Sequence, residues 1–122
     1  MHHKKLFRSG GFISFAGMKL PDSILIVEQS TLARLAAAWM HSPKVAMVWG
    51  NRILLWGCSQ EEFQMNIPWV RHELKHVEQY QRFGMVGFLA RYLAYSIRFG
   101  YANNPLEVEA RQAENNPHPD FG

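Results

Sequence analysis

Cysteine is nearly absent. Cys58 stands alone among 122 residues, so no internal disulfide can hold the fold, and burial and hydrogen bonding must do so. A lone thiol fits a reducing compartment, and the expected location is cytoplasmic. Long apolar runs are also missing. Phe12 to Gly17 is too short for the apolar region of a signal peptide, and Met85 to Phe99 is interrupted by Arg91 and Arg98. No spanning helix is expected, while peripheral contact with a membrane or a partner through 85–99 stays open. Charge is sparse at 19%, and the net +3 is unevenly placed. Lys4, Lys5, Arg8 and Lys19 put +4 in the first 19 residues and leave −1 for the rest. The folded part is therefore close to neutral, and no nucleic-acid partner is expected.

What is present is a 48% hydrophobic chain of a length suited to one domain. Residues 1–22 read as a flexible basic arm, 23–114 as the folded domain, and 115–122, rich in asparagine and proline, as a flexible tail. Within the domain, Ser23 to Val27 suits a short strand. Ser30 can cap a helix running to Met40, with Leu32, Leu35, Ala36 and Trp39 on one face and Pro43 forbidding continuation. Lys44 to Trp49 and Arg52 to Trp56 flank Gly50-Asn51, a two-residue hairpin signal. Ser59 to Glu62 has the S-x-x-E form of a capping box, or is a polar loop. Met85 to Phe99 reads as an apolar linking helix. Asn104 and Pro105 then announce a last helix with acidic residues in its first turn. The fold class is α+β.

The chemistry gathers in Trp69 to Gln81, which contains His72-Glu73-Leu74-Lys75-His76, an H-E-x-x-H. Positions i and i+4 share one face of a helix, so both imidazoles can reach one ion. Glu73, about 100° round from His72, can reach a water held there. Val70, Leu74 and Val77, with Ile67, form a separate apolar stripe that anchors the helix. Asn66 suits the start of this helix, and Gly84 suits its end. A catalytic zinc site takes three protein ligands and keeps one position open, so a further donor is needed from another element. His41, Cys58, His118 and Asp120 are candidates. A glutamate on the last helix, Glu107 or Glu109, is the most economical, and only one of these two can face the ion.

His72 to His76, followed about 30 residues later by Glu107-Val108-Glu109-Ala110 as E-x-x-A, resembles the gluzincin metallopeptidases, and among them the minigluzincins and related short bacterial H-E-x-x-H domains. The resemblance covers about residues 23 to 114. It implies a small zincin-like domain with a backing helix, a short sheet or hairpin, an active-site helix, a linking helix and a glutamate helix. It further implies Zn2+ on His72, His76 and Glu107, Glu73 as general base, and a peptide or protein substrate hydrolysed by metal-activated water. Tyr92, Tyr95 and Tyr101 are candidate donors to the oxyanion. By the same resemblance the enzyme could be latent, with His118 or Asp120 of the tail capping the metal. Four residues beyond Glu107, where the family often carries an aspartate that orients the first histidine, this chain has Arg111. The alternative function is a non-catalytic module, zinc-bound or metal-free, interacting through helix 85–99. Homodimerisation stays open.

Overall fold

The computed structural model describes residues 6–8 and 20–116. In chain order these form β1 (Leu6–Arg8), β2 (Leu25–Val27), α1 (Thr31–Met40), β3 (Val45–Trp49), β4 (Arg52–Trp56), α2 (Gln60–Met65), α3 (Ile67–Phe99) and α4 (Pro105–Ala113). The chain is α+β, and it divides at the start of α3 into two compact units, Met1–Ile67 and Pro68–Gly122. That division falls inside the 23–114 span read as one domain. The tail residues His118 and Asp120 lie outside the described residues.

The first unit holds a four-stranded sheet in the order β1-β2-β4-β3. The two-residue turn is where the sequence places it: Trp49 pairs with Arg52, and Gly50 takes a φ of 68°, the positive value that a tight hairpin of right-twisted strands requires. β2 runs parallel to β4, with Leu25 opposite Arg52 and Val27 opposite Leu54. β4 is therefore interior, and of the two hairpin strands only β3 remains at an edge. β1, inside the stretch read as a loose arm, pairs antiparallel with β2 through Leu6 and Val27.

Helix α1 begins where expected, with the Ser30 hydroxyl accepting from Ala33 N at 3.3 Å, and ends at His41 in a left-handed conformation (φ 55°). Its buried face is not the expected one. Ala33 and Ala37 pack against Val45 and Leu54, while Leu32, Leu35 and Trp39 point outward, Trp39 being 84% exposed. Residues with a single methyl let the helix backbone lie close to the sheet, so proximity replaces bulk as the source of contact. The S-x-x-E stretch is a true cap: Ser59 Oγ accepts from Glu62 N at 3.0 Å, and α2 follows. The buried Glu28 carboxylate takes the Gln60 N–H at 2.5 Å, which places negative charge against the donors at the start of α2. Asn66 N–H donates to Phe63 O at 3.0 Å, ending α2 immediately before Ile67.

The second unit is α3 and α4. Val70, Leu74 and Val77 are fully buried, as the apolar stripe requires. Gly84 interrupts α3 with φ 75° and ψ 169°, a backbone region open essentially to glycine alone. The break turns the chain back on itself. Sixteen residues of straight helix would separate His76 from Tyr92 by about 24 Å, yet their ring centroids are 6.4 Å apart. Tyr80 stacks on Phe88 at 3.9 Å across the bend. Asn104 then fixes α4. Its Oδ1 accepts from Leu106 N at 2.9 Å, and its Nδ2 donates to Tyr92 O at 3.2 Å and Ser96 Oγ at 3.0 Å.

Candidate metal centre

Each donor of the site is delivered by a local feature of the second unit. The first part of α3 carries His72 and His76 one turn apart, with ring centroids 5.0 Å from each other. α4 buries Leu106, Glu107, Ala110 and Ala113, a face set by helical repeat, so Glu107 turns inward. Glu109 instead bonds Gln79 Nε2 at 2.7 Å and Arg82 at 3.3 Å. Of the two glutamates, Glu107 is the one whose carboxylate faces the histidines.

His72, His76 and Glu107 each offer one donor atom within 4.8 Å of the others, a set that could hold a metal ion, and it is the one such group among the described residues. His72 Nε2 lies 3.1 Å from Glu107 Oε1, and His76 Nε2 lies 3.4 Å from Glu107 Oε2. His41 and Cys58, weighed as third donors, are not in the group. Glu78, two residues past His76, pairs with Lys75 and Arg82.

The other imidazole nitrogens decide what the cluster needs. His72 Nδ1 is 2.7 Å from Glu114 Oε2, a carboxylate, so Nδ1 donates. His76 Nδ1 is 2.9 Å from Gln79 Oε1. The amide of Gln79 cannot be reversed, because its Nε2 donates to Leu106 O at 3.1 Å and to Glu109. His76 Nδ1 therefore donates as well. A neutral imidazole protonated on Nδ1 presents a lone pair at Nε2. Both lone pairs then face the oxygens of Glu107, which is repulsive unless each ring gains a second proton or a cation sits between them. Fixing the proton at Nδ1 is how proteins aim imidazole ligands.

The electrostatics point the same way. Burial disfavours charge on both histidines, but the Glu107 hydrogen bonds outweigh it, with Glu114 helping His72 and Glu73 helping His76, so both are raised from the ordinary value. Burial alone would raise Glu107; its bonds from the two imidazoles and Tyr92 hold it well below the usual carboxylate range. Glu73 is buried, and that burial, reinforced by Glu107 and Glu114 and opposed by His76, pushes its carboxyl up to about 8. Cationic charge at the donor set would draw it back towards ionisation.

Of the three tyrosines, Tyr92 donates its hydroxyl to Glu107 Oε2. Tyr101 is pushed up to about 12 by burial and then by Glu107. Tyr95 belongs elsewhere, its ring 6.2 Å from that of Phe99. Two residues escaped the sequence reading. Glu114, two turns beyond Glu107, occupies the histidine-orienting role that Arg111 cannot fill. Gln79, one turn beyond His76, does the same for the second imidazole. The signal for Glu114 was its i+7 spacing from Glu107; Gln79 carried only an i+3 spacing that many surface residues share.

In comparisons with protein-family models, curated proteins and solved structures, nothing matches this chain.

Proposed function

We propose that this chain is a zinc-dependent peptide-bond hydrolase of gluzincin type, with His72, His76 and Glu107 as ligands. The carrying observation is the convergence of His72, His76 and Glu107 on one point, with each imidazole held through Nδ1 by Glu114 or Gln79 so that Nε2 faces the carboxylate. The donor set is compact enough to close on one ion. Zinc with bonds of about 2.0–2.1 Å in tetrahedral geometry spaces its ligand atoms by about 3.3 Å; His72 Nε2 lies 3.1 Å from Glu107 Oε1, His76 Nε2 lies 3.4 Å from Glu107 Oε2, and one donor atom from each residue lies within 4.8 Å of the others. Two nitrogens and one oxygen leave a position open, as catalytic rather than structural zinc requires.

Bound there, zinc supplies Lewis acidity towards a scissile carbonyl and makes water nucleophilic near neutral pH. Glu73 accepts a proton from the attacking water and delivers it to the amine nitrogen as the C–N bond breaks. Glu114 and Gln79 hold the two rings in place by taking their Nδ1 protons in hydrogen bonds. The hydroxyls of Tyr92 and Tyr101 both engage Glu107 and would turn from it to serve a developing oxyanion.

The test is metal analysis together with peptide cleavage on the parent, Glu73→Gln and His76→Ala. One zinc per chain is expected in the parent and in Glu73→Gln, and none in His76→Ala. Cleavage should fall by about 10²–10⁴ in Glu73→Gln. Zinc without cleavage by the parent would contradict the hydrolase; no zinc in any form would contradict the metal site itself.

A further inference from the structure

The part of α3 beyond Gly84 has a face that the metal centre does not use. Phe88 and Tyr92 turn inward, while Val86, Leu93 and Ile97 are 79%, 63% and 78% exposed. At 100° per residue these three fall within an arc of about 40°, so they form one stripe along the helix. Arg91 and Arg98 lie together on one polar flank, about 120–140° round from its centre. Neither makes an ion pair among the described residues. Arg91 donates to Gly87 O at 3.2 Å and covers the Phe83 ring at 4.4 Å, and Arg98 lies over the Phe99 ring at 5.4 Å.

We infer that this face is a docking surface for an anionic lipid bilayer, on which the helix lies in the plane of the headgroups. Charge selects the occupant. Between Gln79 and Leu106 the chain has three arginines and no acidic residue. Arg82 is engaged by Glu78 and Glu109, which leaves Arg91 and Arg98 to meet charge from outside. A second copy would offer the same stripe and the same cations with no carboxylate on that helix to receive them. Anionic headgroups supply that charge, and the boundary beneath them takes valine, leucine and isoleucine side chains while arginine stems reach back to the phosphates. Among the described residues no helix is long and apolar enough to cross a membrane, so the contact is peripheral.

Sedimentation of the full chain with vesicles tests this, using phosphatidylcholine alone and phosphatidylcholine with one third phosphatidylglycerol. The parent should bind the anionic vesicles and only weakly the neutral ones. Val86→Ser/Leu93→Ser/Ile97→Ser should weaken binding by about 100-fold or more. Arg91→Gln/Arg98→Gln alters only exposed charge and should weaken it by roughly 25-fold, about fivefold per arginine. Neutralising Lys4, Lys5 and Arg8 in the N-terminal arm should leave most of the binding in place. The inference is overturned if the parent ignores anionic vesicles, or if the arm variant loses binding while both helix variants keep it. It is equally overturned if light scattering shows a parent dimer that the serine variant dissolves, because the stripe would then belong to a second copy.

Discussion

Replacing Asn104 by alanine should loosen α4 from α3, and the size of the effect follows from its contacts. The side chain is fully buried and makes three hydrogen bonds, to Leu106 N, Tyr92 O and Ser96 Oγ. Loss of the cap costs about 1 kcal/mol, and each of the two Nδ2 bonds contributes about 1 kcal/mol. The total of about 3 kcal/mol corresponds to a fall in melting temperature of roughly 10 °C or more for a protein of this size. Serine keeps the capping oxygen and loses the two donors, so Asn104→Ser should recover about 1 kcal/mol of the loss. Thermal unfolding followed by circular dichroism reads both. A melting temperature within 2 °C of the parent for Asn104→Ala, or complete recovery in Asn104→Ser, would refute the view that this amide holds the two helices together.

Gly84→Ala should destabilise the chain by about 1–3 kcal/mol through backbone strain alone, since an added Cβ meets nothing within 4 Å; an unchanged urea midpoint would show that the bend does not depend on glycine. Glu114→Ala should weaken zinc binding by about 10–100-fold by freeing His72 Nδ1, whereas Arg111→Ala, which acts on Ala102 O instead, should leave it within a few-fold; equal effects in a chelator competition would remove Glu114 from its orienting role. Burial, with Glu62 adding to it and Lys44 opposing, pushes the Cys58 thiol up to about 11, so alkylation at pH 8 should run roughly a hundredfold slower than for an unperturbed thiol and keep rising with pH. A rate that levels off near pH 9 would contradict that environment.

The parts of the fold written in short spacings were legible. Ser30, Ser59 and Asn104 cap the helices they precede, Gly50-Asn51 makes the tight turn, and Val70, Leu74 and Val77 are buried together. All depend on neighbours within a few residues. The face of α1 was misread because hydrophobicity favours Leu32, Leu35 and Trp39, while the sheet accepts the smaller Ala33 and Ala37. Size complementarity between distant segments has no local signature. β4 became interior because β2 pairs with it in parallel, a register that the hairpin sequence does not contain. At the site, Glu107 was separable from Glu109 only by family resemblance until α4 was seen to turn Glu107 inward. The roles of Glu114 and Gln79 depend on where Nδ1 of each imidazole points, which a spacing pattern leaves open.

The most direct test of three side chains sharing one ion is a competition titration with a chromophoric zinc chelator, run on the metal-stripped parent and on Glu107→Ala and Glu109→Ala. The parent should bind one zinc per chain, Glu109→Ala should match it within a few-fold, and Glu107→Ala should lose more than about 100-fold, beyond the usual effect of an outer residue. Equal affinity in the parent and Glu107→Ala would contradict the account.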